Sequence, residues 1–356
     1  MKFSPRLDKV RSSLIELHLD ALIVTSLQDI RYLSGFSGST ALVLIRHDNA
    51  YIFLDFRYLT QAKEEVVGFE VKSVTSPAWN ALTDCAKEGE VKRLGFVPSE
   101  LSFEQYGKLE EKRKGMELVP TVSPIGPLRM IKDLGEVEAI RRSCCLVSQN
   151  LEEIRSLVRP GMREIEIAAL FEYSLKMNGA DGPGFETIVA SGPRSAMPHA
   201  HPSQREVKSG DFLKMDGGSQ WHGYHSDMTR TWVLGSATPQ QKQIFQVVLE
   251  AHDQAVSAVR PGMLAEELDG VTRRVIEEAG YGAYFGHGTG HGVGLSVHEE
   301  PRIGKDSRTP LAEGMVFTIE PGIYLPGVGG VRIEDTVFLT EDGAEVLTTA
   351  SREMTL

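Results

Sequence analysis

The tetrapeptide RPGM occurs twice in this chain, at residues 159–162 and again at 260–263, an offset of 101 residues. A helical pattern precedes each copy and another follows it. Each following helix runs to a glycine at the same distance, Gly179 and Gly280, as a C-terminal stop does. The earlier helix of the second copy opens on Thr238-Pro239-Gln240-Gln241, with threonine at the N-cap, proline at the first helical position and glutamine at the third. After each glycine the pattern turns to strands. Four matching letters alone carry little, but the shared surroundings read as two helix–helix–sheet units in succession. Two such units facing each other form a cleft between their sheets, a common place for a site.

The sequence before this repeat alternates helical and strand patterns. Residues 7–18 read as an amphipathic helix, and "ALIVTS", "TALVLI" and "AYIFLD" read as buried strands. This is an α/β domain in its own right. Two prolines and a glycine in "VSPIGPLRMIKD" break the pattern, which sets the expected domains at 1–124 and 125–356. A long helix is expected from about Glu136 to Val158. With 356 residues the chain can bury two cores. Its net charge of -11 argues against nucleic-acid or anionic-membrane partners. No apolar run approaches a membrane span, and the charged N-terminus lacks a signal-peptide block. Three cysteines without a CxxC fit a reducing, cytoplasmic setting better than a disulfide framework.

The stretch "GHGTGHGVGLSVHEEP", residues 286–301, raises the chemical question. His287, His291 and His298 could be metal ligands, catalytic bases or polar loop residues. Glycines at alternate positions argue against a helix, each costing roughly 1 kcal/mol there, and suggest a strand. Its bare face would mark close approach by another segment or a ligand. His287, Thr289, His291, Val293 and Leu295 would then share the other face. His298 has the opposite parity, so a joint role needs a bend between them.

Each repeat unit also carries a pair of acids in strand-like sequence. Asp216 and Asp227 lie in "DFLKMDGGSQWHGYHSDMTRTWVL", and Glu320 and Glu334 in "GMVFTIEPGIYLPGVGGVRIEDTVFL". Each pair fits two neighbouring strands of a hairpin. A single acid at such a place is most simply a surface charge. Four converging in a largely apolar cleft would repel one another and take up protons unless cations neutralised them, which two divalent ions would do. One imidazole among four carboxylates is a hard donor set. It points to Mn²⁺ ahead of a thiolate-type zinc site, with Co²⁺ or Zn²⁺ as alternatives.

Over nearly its full length the chain resembles the pita-bread metallopeptidases of the aminopeptidase P and prolidase type. The N-terminal part, with "IRYLSGFSGS" and "FRYLTQA", is similar to the creatinase N-terminal domain. The motifs of the rest are "SAMPHAHP", "MDGG…YHSDMTRT", "GHGTGHGVGLSVHEEP", "TIEPGIY" and "GVRIEDT". The resemblance implies an α+β fold: a C-terminal pita-bread domain with a pseudo-twofold internal repeat, preceded by the smaller α/β domain. It implies Asp216, Asp227, His291, Glu320 and Glu334 as ligands of a dinuclear site, with Asp227 and Glu334 bridging. Asp216 would hold one ion, and His291 and Glu320 the other. His298 would contact the scissile carbonyl or its oxyanion, and His199 would be a second substrate-side histidine. His287 would line the pocket or support the ligands, and Arg332 would hold the bridging region. A bulky apolar residue often follows the first aspartate in relatives. Here it is Gly217, which leaves the local packing open.

The implied activity is hydrolysis of the bond before proline in Xaa-Pro dipeptides by a hydroxide bridging two divalent metals, with Glu320 carrying the proton. Arg302 and Arg332 are the basic candidates for clamping the proline carboxylate. An alternative is an aminopeptidase P acting on longer peptides. A third, of another class, is a non-hydrolytic peptide-binding relative, against which all five ligand positions stand. The resemblance also implies a homodimer. Among neighbouring residues, His201, His222 and His225 read as turn residues, Trp221 and Trp232 as packing, and Phe185 as core rather than pocket wall. Thr229 and Thr231 share a face with Asp227.

Overall fold

The computed structural model describes residues 3–75, 78–113 and 115–356. It divides into two compact units, Met1–Arg129 and Met130–Leu356. The division falls a few residues beyond the Pro/Gly break because a short helix, Gly126–Met130, follows that break. Among the described residues no helix is long and apolar enough to cross a membrane.

The first unit is an open sheet with helices. Its strands are β1 (Ala21–Val24), β2 (Leu42–Arg46), β3 (Ala50–Leu54), β4 (Glu70–Ser73), β5 (Arg93–Phe96) and β6 (Glu117–Pro120), in the order β4-β3-β2-β1-β5-β6. The β1–β2–β3 run is antiparallel, and the outer pairings are parallel. The helices are α1 (Phe3–Glu16), α2 (Leu27–Ser34), α3 (Leu59–Glu65), α4 (Ala78–Glu88), α5 (Phe103–Lys112) and α6 (Gly126–Met130). Strands β1 and β3 are buried at every position, which is why they read as unbroken apolar runs. Trp79 and Leu82 of α4 and Leu109 of α5 pack on Ile23, Leu44, Phe53 and Leu94.

The second unit contains the repeat. Helices α7 (Leu134–Leu157) and α8 (Glu164–Met177) flank the first RPGM, and α9 (Pro239–Ala258) and α10 (Ala265–Glu278) flank the second. Each RPGM turns on a left-handed glycine, Gly161 at φ 94° and Gly262 at φ 89°. The stop glycines Gly179 and Gly280 match as well, at 92° and 85°. Thr238 caps α9 with the expected reciprocal bonds to Gln241.

The strands of this unit are β7 (Gly182–Pro183), β8 (Ile188–Ser191), β9 (Phe212–Gly217), β10 (Ser219–Trp221), β11 (Tyr224–His225), β12 (Met228–Val233), β13 (Gly290–Gly292), β14 (Glu299–Ile303), β15 (Val316–Ile319), β16 (Gly322–Leu325), β17 (Gly329–Arg332), β18 (Asp335–Thr340) and β19 (Gly343–Val346). The first half builds the sheet β12-β9-β8, and the second builds β14-β13-β15-β18-β19. Period two then sorts the side chains. Leu213 and Met215 of β9 and Met228 and Trp232 of β12 pack on Leu151, Ile154 and Phe171 of α7 and α8. Phe317 and Ile319 of β15 and Val337 and Leu339 of β18 pack on Ala255 and Leu268 of α9 and α10. The intervening residues, Lys214, Asp216, Thr229, Thr231, Thr318 and Thr336, therefore project from the opposite face of each sheet. Gly217 is bare because the Phe171 ring fills its place: a Cβ there would meet Phe171 Cε1 at 2.6 Å. Truncating Phe171 would cost about 3–5 kcal/mol.

The strand expected across 286–295 is shorter than its alternation suggested. Only Gly290–Gly292 is strand, with a register shift between His291 and Gly292. The glycines do mark close approach: a Cβ on Gly290 would overlap the Thr318 carbonyl oxygen, and one on Gly292 that of Glu300.

Candidate metal centre

The four acids sit where strands end. Asp216 is one residue from the end of β9 and faces Thr229 of β12, and Asp227 immediately precedes β12. Glu320 immediately follows β15 and Glu334 immediately precedes β18, beyond the Ile319–Asp335 pair. A strand end leaves a side chain aligned by the sheet yet clear of the next residue's packing. The two acid pairs thus occupy matching corners of the two halves. His291 enters from the middle of β13, between β14 and β15.

These residues converge on a cavity of about 300 Å³, lined also by His199, His287, His298, Arg302 and Arg332. Asp227, His291 and Glu334 each offer a ligand atom within 4.8 Å of the others. His291 Nε2 lies 3.5 Å from Asp227 Oδ2 and 3.5 Å from Glu320 Oε1. The other ring nitrogen, Nδ1, is 3.1 Å from the Gly292 carbonyl oxygen, an acceptor only, so it carries the proton. That leaves the Nε2 lone pair facing carboxylates.

Burial pushes the carboxyl groups of Asp227 and Glu334 well above the usual carboxylate range, and their carboxylate neighbours push them further. Glu320 is raised as well, first by burial. Burial lowers His291, His287 and His298, favouring neutral imidazoles, the form that binds metal. Among the described residues, Asp216 Oδ1 and Asp227 Oδ1 are buried without a hydrogen-bond partner. Orphaned oxygens, an inward lone pair and crowded carboxylates are the donor chemistry of a hard divalent cation.

The other oxygens are held from behind. Arg332 pairs with Asp216 Oδ2 and donates through Nε to Thr229 Oγ1 at 2.9 Å. The Thr229 hydroxyl donates to Glu334 Oε2 at 2.6 Å, and Thr318 to Glu320 Oε1 at 3.3 Å. Thr231 donates instead to the Arg332 carbonyl. Arg332 further donates to Tyr324 Oη at 2.9 Å and to the Pro198 carbonyl at 3.3 Å. Its side chain is 3% exposed and bonded to these partners, whereas Arg302, which also lines the cavity, is exposed.

His287 lines the cavity rather than joining the close cluster. Its Nδ1 donates to the Gly288 carbonyl at 2.8 Å, so its Nε2 accepts from Tyr324 Oη at 2.9 Å. His298 reaches the site through the bend that parity demanded, its ring centroid 4.2 Å from that of His291. His199 lines the cavity beside Pro198. Phe185 is half-buried and lines the cavity, so its reading as core is corrected: its ring lies over bare Gly218, where a Cβ would meet Phe185 Cε1 at 2.8 Å. His201 is exposed and pairs with Glu186, and His222 is an exposed turn residue. The backbone of His225 bonds to Gly294.

Sequence reasoning missed three supports. Asp269 of α10 accepts from the backbone and hydroxyl of Thr289, and Arg273 donates to the His287 carbonyl, so one helix fastens the glycine-rich segment. Tyr324 joins His287 to Arg332. Lys214 is buried beneath Asp216. Tyr324 and Lys214 lie in the stretches that carry the acids, whereas Asp269 and Arg273 lie on a helix outside them.

Residues 138–341 match the model of metallopeptidase family M24, and residues 6–131 match the creatinase/prolidase N-terminal domain. The chain belongs to metallopeptidase family M24. It is 40% identical to an Xaa-Pro dipeptidase of Pyrococcus furiosus across 98% of this chain and 99% of that one. Its fold matches that of an Xaa-Pro dipeptidase from Bacillus anthracis with a TM-score of 0.97, at 37% identity and full coverage of both chains. An X-Pro aminopeptidase from Thermotoga maritima matches with a TM-score of 0.90 at 36% identity, covering 98% of this chain and 100% of that one. As in family M24 generally, divalent metal ions are the expected cofactor.

Proposed function

We propose that the chain is an Xaa-Pro dipeptidase, hydrolysing the peptide bond whose nitrogen belongs to proline. The observation that carries this is the convergence of Asp216, Asp227, His291, Glu320 and Glu334 on one small cavity with Arg302 at its edge. These five would hold two divalent ions, with Asp227 and Glu334 shared, and four carboxylates with one imidazole favour Mn²⁺. Bound there, the ions would supply Lewis acidity and lower the pKa of a water. The remaining work belongs to the chain. Glu320, its Oε1 held by Thr318, takes a proton from the attacking water and delivers it to the leaving proline nitrogen. His298 donates a hydrogen bond to the carbonyl oxygen as negative charge develops there. His199, which also lines the cavity, contacts the substrate as a second histidine. The proline nitrogen offers no N–H, so recognition must come from the ring and the free carboxylate. Phe185, Ile188 and Pro198 give an apolar wall for the ring, and Arg302 a cation for the carboxylate.

The Pyrococcus and Bacillus dipeptidases support dipeptide selectivity, whereas the Thermotoga aminopeptidase supports the reading on longer peptides. Rates on Ala-Pro and Ala-Pro-Ala, after chelation and again with Mn²⁺, separate them. Metal-dependent cleavage of the dipeptide alone is expected. Comparable cleavage of the tripeptide would assign an aminopeptidase P, metal binding without cleavage of either would mean that the substrate assignment is wrong, and failure to bind two divalent ions would favour a peptide-binding protein. The unpaired cysteines support a reducing, cytoplasmic setting. Homodimeric assembly follows from the family resemblance and is tested by sedimentation.

A further inference from the structure

Two positions before Asp216, on the same face of β9, stands Lys214, with a relative exposure of 0%. A lysine without solvent is costly, whether it keeps its charge or gives up a proton, and an apolar side chain would fill the strand without that cost. Something at this position therefore uses its donors. Lys214 Nζ donates to the carbonyl oxygens of Met197 at 2.6 Å and Pro198 at 3.1 Å. These are the two consecutive carbonyls that lead into His199. Nζ also stands 5.1 Å from the ring centroid of Tyr324.

The segment that carries His199 needs such holding. Residues 197–203 belong to no strand or helix. Its flanks are fixed by the buried Glu164, which accepts from the backbone N–H of Ser191 at 2.7 Å and of Ser203 at 3.1 Å. Between those anchors the Lys214 bonds act at the two residues just before the imidazole, and Arg332 adds a longer bond to the same Pro198 oxygen. Pro198 and His199 both face the cavity, so a shift of this segment moves a substrate-side histidine directly.

We propose that Lys214 is a positioning residue for His199, fixing the Met197 and Pro198 carbonyls so that the imidazole meets the substrate in one place. This rests on the reading of His199 as a substrate-side group in Xaa-Pro hydrolysis. The rival role for a buried cation here is to balance the carboxylates around Asp216. The two roles differ in what they move: balance acts on metal affinity, and positioning acts on turnover through His199.

A double-mutant cycle decides. Lys214→Met, His199→Ala and the double variant are each loaded with Mn²⁺, and kcat and KM on Ala-Pro are measured with Mn²⁺ affinity by calorimetry. Lys214→Gln replaces the methionine variant if that one does not fold. The expected result is a loss of about tenfold or more in kcat/KM for each single variant, with less than about twofold further loss when Lys214 is changed in the His199→Ala background. Mn²⁺ affinity stays at the wild-type value. Losses that multiply, or a Lys214 loss accounted for by weaker Mn²⁺ binding, would overturn the proposal. Full activity of Lys214→Met beside an impaired His199→Ala defeats the proposal alone. Full activity of His199→Ala defeats the reading of His199 and the proposal with it.

Discussion

His291 Nε2 faces Asp227 Oδ2 across 3.5 Å, a gap too long for a hydrogen bond and suited to two ligands on one cation. The Gly292 carbonyl holds the proton on the far ring nitrogen, so a lone pair points at a carboxylate. Burial and the neighbouring acids already disfavour the Asp227 charge. Asp227→Asn should therefore do two opposite things. It abolishes tight Mn²⁺ binding and peptidase activity. It also relieves the repulsion in metal-free protein, whose melting temperature rises by about 2–4 °C, equivalent to roughly 1 kcal/mol. Calorimetry on chelated protein checks this, and a lower melting temperature would mean that the carboxylate has a stabilising partner other than metal.

In the proposed reaction Glu320 carries the proton, with Thr318 donating to Oε1 and His287 Nδ1 4.0 Å from Oε2. Glu320→Gln keeps the shape and removes the base. Its kcat on Ala-Pro should fall by about 100- to 10,000-fold while the protein stays folded. Near-wild-type turnover would remove Glu320 from the chemistry.

On the proposed reading Arg302 meets the substrate carboxylate, because Arg332 is bonded to Asp216, Thr229 and Tyr324. Losing one charge-assisted bond costs about 1.5–3 kcal/mol, so Arg302→Ala should raise KM for Ala-Pro about tenfold or more. The same change should leave KM for Ala-Pro-amide nearly unaltered. Equal effects on both substrates would place the clamp elsewhere.

The first unit carries a pH dependence of its own. Burial, reinforced by the nearby Asp29, raises the Glu100 carboxyl to about 7. A folded-state value above the unfolded one means that the folded state holds the proton more tightly. Stability from this group is complete below about pH 4.5 and is lost as pH rises through about 7. Glu100→Gln should flatten the decline in melting temperature of that unit between those limits. An unchanged slope would show that another group titrates there.

Much of the second unit was legible because its devices are local. The RPGM turns need a left-handed glycine, the Thr238 box lies within four residues, and acids at strand ends stand out between apolar runs and turns. Parity also foretold that His298 must arrive by a bend. Parity misled at 286–295, where the register shift after His291 breaks the alternation that a sequence shows as continuous. The supports of the site were hidden for a different reason. Lys214 meets Met197 and Pro198, and Asp269 meets Thr289, only once the sheets have assembled. A lysine in a strand, or an aspartate on a helix, carries no local mark of such a partner.

The most direct measurement is Ala-Pro turnover as chelated protein is titrated with Mn²⁺, with bound metal counted in the same samples. The account predicts no turnover without metal and full turnover when two ions are bound per chain, with binding and activity both lost in Asp227→Asn. Undiminished turnover in metal-free protein, or in Asp227→Asn, would contradict it.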